Sequence, residues 1–267
     1  MNRLSSHSLS RSLLALVAIS SAMWIAGCGD DEEQKKEYIQ VGHSTVTGFY
    51  MSPYEGGHLY IVYDQWGEKA RAGLAAALHP SNDLPVGARV ILTPDDGSAP
   101  IELLGYGNTT SASGGGYRFD LSYIDRGRME GYISSPRGNG YCRGFVGPPD
   151  SIDVYLGTFS GGIIAGDTLN GRWNFVAPDT GRSTTFPNQI NFIGLAIDSA
   201  NPNGIGFFDG YYVPSQSGPG YQMSMSGFWP SSTNWSGSGT LSLDKNSASG
   251  TSDLGDWSAT RHVFSSP

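Results

Sequence analysis

Apolar side chains at every second position are the most persistent pattern in this chain, and that period decides what it can fold into. In Tyr117-Arg118-Phe119-Asp120-Leu121-Ser122-Tyr123 the odd positions are apolar and the even ones polar. Side chains of a strand point alternately to opposite faces, so this segment offers one face to a core and one to water. Tyr221, Met223 and Met225 share a face in the same way, while Leu59-Tyr60-Ile61-Val62-Tyr63 carries large side chains on both. Turn residues punctuate the runs. Pro94-Asp95-Asp96-Gly97 stands between 90–93 and 101–104, Asp125-Arg126-Gly127 between 117–123 and 129–133, and residues 198–204 between 189–197 and 204–213. Each predicts a hairpin. In 153–176, Ser160-Gly161-Gly162 and Gly166-Asp167 read as two turns, and 228–235 (Phe228-Trp229-Pro230-Ser231-Ser232-Thr233-Asn234-Trp235) as a loop. Only 68–78 has a helix-like composition, and Arg71, Gly73 and His79-Pro80 break its regularity, so a strand is preferred there. The expected fold is all-β: an antiparallel meander forming one or two small barrels, or a β-sandwich.

Pro148-Pro149-Asp150 is the best boundary, because proline lacks a donor and favours extended linkers. About eight strands are expected on either side, a number that suits a small closed barrel. The expected division is therefore an N-terminal antiparallel β domain over 38–149 and a barrel-like domain over 150–267. The runs YLGTFSGGIIAGDTLNGRW at 155–173 and GDWSATR at 255–261 resemble strand-turn phrases of bacterial calycin-like, lipocalin-type barrels. In lipocalins the Gly-any-Trp signature lies in the first strand. Here it occurs late and three times, at Gly171-Arg172-Trp173, Gly227-Phe228-Trp229 and Gly255-Asp256-Trp257. The resemblance thus implies an architecture and carries over no ligand-binding residue. A second internal likeness joins Gly48-Phe49-Tyr50-Met51 to Gly210-Tyr211-Tyr212-Val213, each followed by glycines and an alternating strand. It fits a duplication or two hairpins of similar chemistry.

The N-terminus supplies an address. Arg3 and Arg11 precede an apolar run from Leu13, no acidic residue occurs before Asp30, and the run closes on Ile25-Ala26-Gly27-Cys28. It is short of the ~20 residues that a membrane-crossing helix needs. An aliphatic residue, two small residues and a cysteine resemble a bacterial lipobox, with Ile25 where Leu is commonest. The resemblance implies that 1–27 is a signal peptide, that Cys28 becomes a lipidated N-terminus, and that multiple acyl chains hold the protein to a membrane. Residues 28–37 then form an acidic tether with nothing apolar to bury. Gly29 after the cysteine, rather than Asp, points to the outer membrane by resemblance to enterobacterial lipoproteins.

Loss of 1–27 removes Arg3 and Arg11, so 16 basic residues become 14 against an unchanged 24 acidic ones and the formal charge goes from −8 to −10. No basic patch exists to attract phosphate backbones, and nucleic acid is discounted as a partner. With Cys28 given to lipid, Cys142 has no intramolecular partner and reads as a small apolar residue.

Local motifs of catalysis and metal binding are absent from the sequence. There is no Gly-any-Ser-any-Gly elbow, no His-Glu-any-any-His pair, no Cys-any-any-Cys pair and no phosphate-cradling glycine loop. Asp95-Asp96 and 198–203 carry oxygen ligands but read as turns. No catalytic residue, cofactor or metal is assigned. Trp66, Trp173, Trp229, Trp235 and Trp257 either plug a core or form a stacking surface. Trp229 and Trp235, placed on a loop by composition, are the expected contact residues. The resulting expectation is a lipid-anchored cell-envelope protein that binds a small apolar ligand, a glycan or an envelope protein without transforming it. The alternatives are an envelope hydrolase acting on glycan or lipid, and a structural subunit that docks by exposed strand edges.

Overall fold

A computed structural model describes residues 38–68, 84–125, 127–164, 167–179, 186–201, 203–229 and 233–264. The period-two runs are strands, sixteen of them, and no helix occurs among the described residues. The first eight are β1 (Tyr38–Met51), β2 (Gly56–Glu68), β3 (Val86–Pro94), β4 (Ile101–Tyr106), β5 (Ser111–Gly114), β6 (Tyr117–Asp125), β7 (Arg128–Ser135) and β8 (Gly138–Val146). Each pairs with its neighbour in sequence, and β1 returns to β8 with Val46 opposite Val146 and Met51 opposite Tyr141, closing a barrel. The second eight are β9 (Ile152–Ile164), β10 (Asp167–Pro178), β11 (Ile190–Asp198), β12 (Ile205–Pro214), β13 (Tyr221–Trp229), β14 (Thr233–Leu241), β15 (Ser247–Ser252) and β16 (Gly255–His262). They close the same way through β16 and β9. Two eight-stranded up-and-down barrels thus replace the sandwich alternative, and their meander is compatible with the calycin-like resemblance. Pro148-Pro149-Asp150 falls in the short connection between them.

Two expectations are corrected and one open alternative is decided. Residues 160–162 do not turn: β9 runs straight through them, with Gly161 at φ 89° and a bulge opposite between Leu169 and Asn170. A β-bulge bends a strand without ending it, and glycine takes the positive φ at no steric cost. Residues 228, 229 and 233–235 are strand and not loop, because Phe228 and Trp229 end β13 and Asn234 and Trp235 lie in β14, paired in register, while 230–232 lie outside the described residues. The third concerns the likeness between 48–51 and 210–213. It joins the first strand of one barrel to the fourth of the other, so it reflects hairpin chemistry and not equivalent positions. The segment expected around 68–78 lies, beyond Glu68, outside the described residues.

Three cores hold the protein together. Inside the first barrel Val46, Tyr50, Leu59, Ile61, Val90, Leu92, Phe119 and Met129 meet. Inside the second is an aromatic stack: Trp173 lies 4.4 Å from Phe208 and 5.4 Å from both Trp235 and Trp257, and Tyr155 stacks on Phe175 at 4.4 Å. Inward glycines make room for it. A Cβ on Gly239 would stand 2.5 Å from Cζ2 of Trp257, one on Gly227 2.6 Å from Cζ2 of Trp235, and one on Gly206 2.7 Å from Cε3 of Trp229. Alternating very large and absent side chains is how a small barrel fills its taper.

The third core lies between the barrels. Phe49, Met51 and Phe145 on the outer wall of β1 and β8 pack with Ile152, Val154, Leu156, Val176, Ile193, Leu195 and Ile197 on the outer wall of β9 to β11. These strands are therefore apolar on both faces, which ordinary half-solvated antiparallel strands are not. The opposite wall of the second barrel is wet. Ser226, Ser236, Ser238, Thr240, Ser249, Thr251, Ser258 and Thr260 all point outward and are exposed. A lipid-facing barrel wall is an apolar band, so this wall has the polarity of a water-facing one.

Candidate functional site

Where two convex barrels touch, their outer walls leave a valley, and the residues along it come from β7 and β8 on one side and from β12, β13 and β14 on the other. Alternation decides which side chains reach it. Met129, Gly131 and Ile133 point into the first barrel, so Glu130 and Tyr132 point out. Cys142 points in, so Tyr141 and Arg143 point out. Across the seam Phe208 points in while Phe207 and Asp209 point out, and Met225 points in while Ser226 and Phe228 point out.

Register lines these residues up in two rows. Tyr132 faces Tyr141, and Glu130 faces Arg143, on β7 and β8. Phe207 faces Phe228, and Asp209 faces Ser226, on β12 and β13. The aromatic row is continuous across the seam. Ring centroids are 5.2 Å apart for Tyr132–Tyr141, 5.5 Å for Tyr141–Phe207 (edge to face) and 5.6 Å for Phe207–Phe228 (stacked). These are ordinary distances for attractive aromatic pairs. The end rings are open to solvent, Tyr132 52% and Phe228 53% exposed, whereas Tyr141 and Phe207 rest on the inter-barrel core.

The polar row is built on Arg143, which is only 6% exposed. Its Nη2 donates to Glu130 Oε1 at 2.6 Å and to Asp209 Oδ1 at 3.4 Å, and its Nε donates to Glu130 at 3.0 Å. Its Nη1 donates to the carbonyls of Gly194 at 2.9 Å and Phe208 at 3.1 Å. The guanidinium also lies over the Phe207 ring, 5.6 Å from its centroid. Arg128 reaches across as well, Nη1 donating to Asp209 Oδ2 at 2.9 Å. A buried charge needs partners, and this one is satisfied on every side. On the same wall, desolvation and then the Glu130 carboxylate hold the Tyr123 hydroxyl above its ordinary pKa.

Two concavities follow. One of about 560 Å³ lies over Arg143, Asp209, Phe207, Phe228, Asn234 and the edge of Trp235. A recess of about 50 Å³ sits beside it against Tyr132, Tyr141, Glu130 and Ser122, and the two share Phe207. The larger is within the size range of small-ligand sites, and both mix aromatic with polar lining.

No family model, curated protein or solved structure matches this chain. The geometry of the site therefore carries the functional reading by itself.

The residues expected from sequence fall elsewhere. Trp229 and Trp235 are 6% and 3% exposed, inward-facing members of the second barrel's core. Their assignment to a loop is corrected because β13 and β14 pair in register from Tyr221–Leu241 through Trp229–Thr233. Trp173 and Trp257 are core as well, and Trp66 donates its indole N–H to the Val86 carbonyl at 2.8 Å. Cys28 lies outside the described residues. Cys142 is buried in the first barrel's core, and desolvation pushes its thiol pKa far up, which disfavours the thiolate. The acidic segments are turns as read: Asp96 accepts from the Ser98 amide at 2.9 Å and Asp198 from the Ala200 amide at 3.1 Å. Among the described residues no group of three His, Cys, Asp or Glu side chains could hold a metal ion.

Proposed function

We propose that this is a lipid-anchored cell-envelope protein, tied to the outer membrane through Cys28, that binds its ligand non-catalytically in the seam groove between the two barrels. One observation carries the binding half: two exposed aromatics, Tyr132 and Phe228, joined by Tyr141 and Phe207 into a continuous row beside a pre-ordered polar row. Aromatic rings exposed on strands are not explained by packing, and a row fixed on a buried core is pre-organised for contact. A ligand inside a barrel, as in lipocalins, finds no such support, because Trp173, Phe208, Trp235 and Trp257 occupy the second barrel's interior.

The two alternatives are less well supported. Docking by an exposed strand edge has less to use, because both sheets close on themselves and β1 runs past the end of β8 only over 38–45. Hydrolysis by a carboxylate pair needs one free acid and one free base. Glu130 and Asp209 are instead held as acceptors by the same Arg143 nitrogen.

Two measurements test the reading. Cys28→Ser should abolish metabolic labelling by palmitate, and persistent labelling would remove the anchor. Native mass spectrometry of the full-length protein, extracted from its membrane in mild detergent, should show a bound adduct that Tyr132→Ala and Phe228→Ala each deplete. An adduct indifferent to both changes would place binding outside the groove.

A further inference from the structure

We infer that the seam groove holds a linear, uncharged glycan lying across the strands, with sugar faces on the exposed end rings Tyr132 and Phe228 and ring-edge hydroxyls bonded along the Glu130–Arg143–Asp209 row. The inference rests on the groove being the binding surface, as proposed above, and adds what fills it.

Three observations select this class. The first is placement. Tyr132 and Phe228, 52% and 53% exposed, stand at opposite ends of the row, while the ring planes turn by 55° from Tyr132 to Tyr141 and by 89° from Tyr141 to Phe207, so separate sugars of one chain meet the two outer rings. A pyranose presents a C–H face that packs on an aromatic ring and an equatorial rim of hydroxyls. It therefore needs an apolar strip and a polar strip side by side. The registers Tyr132–Tyr141 over Glu130–Arg143 and Phe207–Phe228 over Asp209–Ser226 supply both, two residues apart on the same outward face.

The second is charge. Arg143 and Arg128 are matched by Glu130 and Asp209 at 2.6 to 3.4 Å, so the row has donors and acceptors but no net charge to spend on an ionic ligand. Carboxylates fixed by guanidinium groups keep free lone pairs for hydroxyl donors, an arrangement suited to a neutral polyol. Asn234, opposite Phe228, adds an amide at the end of the aromatic row.

The third concerns competitors. An extended peptide binds a sheet by adding a strand, and the strands that wall the seam groove are paired on both sides and offer it no edge there. An acyl chain would desolvate Arg143, Asp209, Ser226 and Asn234, which line the larger concavity, without bonding any of them.

The test is affinity electrophoresis of the full-length protein, in a neutral detergent, through native gels containing hydroxyethylcellulose, mixed-linkage β-glucan, xylan, galactomannan or dextran. A gel of anionic alginate controls for charge. The protein should be retarded by at least one neutral polymer and not by alginate. Tyr132→Ala and Phe228→Ala should each weaken retention about tenfold, the effect of losing one central contact. Phe228→Tyr should restore retention, and Tyr106→Ala, an exposed tyrosine outside the groove, should leave it unchanged. Unaltered thermal melts would exclude misfolding of the alanine variants. Free migration in all five neutral gels, or retention indifferent to Tyr132→Ala and Phe228→Ala, overturns the glycan. If the native adduct of the preceding section still depends on both rings in that case, the groove remains a binding site for another class. If it does not, both readings fail.

Discussion

Arg143 on the first barrel donates to the main-chain carbonyl of Gly194 on the second at 2.9 Å. Side chains seldom bond a strand carbonyl of a separate barrel, and this one does so from a position where it also holds Glu130, Asp209 and the Phe207 ring. It joins the two barrels and builds the groove at once.

Replacing Arg143 with Met should therefore cost stability as well as binding. Met keeps the apolar stem but leaves the Gly194 and Phe208 carbonyls with one partner fewer and Glu130 without its cation. Loss of a buried, multiply bonded charge is worth about 2–3 kcal/mol here, below the usual range for a buried pair because Glu130 can turn to water. A urea titration followed by tryptophan fluorescence reads the change. A midpoint within error of the parent would mean that the inter-barrel apolar core carries the junction alone.

Gly206 and Trp229 should behave as a coupled pair. Gly206→Ala sets a methyl 2.7 Å from Cε3 and 2.9 Å from Cζ3 of the indole, and no other side chain is so close. Overpacking of this kind costs about 1–3 kcal/mol. In a Trp229→Leu background the same methyl should cost less than about 0.5 kcal/mol, a non-additivity that a double-mutant cycle of thermal melts measures directly. Additive costs would show that the glycine serves the backbone rather than the ring.

Stability should fall on mild acidification through His58. Its ring is buried on the first barrel's outer wall, 4.9 Å from Phe264 and 5.8 Å from His262, which arrive from the end of the second barrel. Desolvation, reinforced by His262, lowers its pKa from 6.5 to about 3, and burial lowers that of His262 too. Above pH 6.5 both folded and unfolded chains hold His58 neutral, and it imposes no pH dependence. Between 6.5 and 3 only the unfolded chain takes up the proton, so stability drops by roughly 1.4 kcal/mol per pH unit from this group. His58→Phe should flatten that slope, read from melting temperatures at pH 7, 6, 5 and 4. An unchanged slope would assign the acid sensitivity to other groups.

Much of the fold was legible because burial imposes parity. Residues 117–121 and the set Tyr221, Met223 and Met225 are strands with the faces their alternation predicts, while a bulge after Leu121 turns Tyr123 outward, opposite Glu130. The hairpins around 94–97 and 125–127 form where turn residues stand. What misled was composition read without pairing. Pro230, Ser231 and Ser232 lent loop character to Phe228, Trp229 and Trp235, yet the strands on either side run to within a residue of them. The groove was hidden for a different reason. Tyr132 and Phe228 occupy the wet phase of their strands, where an aromatic is anomalous, and that anomaly is visible in the sequence once Met129, Ile133, Met225 and Trp229 fix the phase. That the two anomalies meet is invisible, because it depends on how one barrel's wall leans on another through Phe145, Ile193 and Leu195.

Strand β1 packs Phe49 and Met51 into the inter-barrel core and pairs with β8, which carries Tyr141 and Arg143. Tension entering from the N-terminal side would load the β1–β8 hydrogen bonds in shear, all together, instead of unzipping them singly. A pull across the valley would thus pass from one cylinder to the other through that splice.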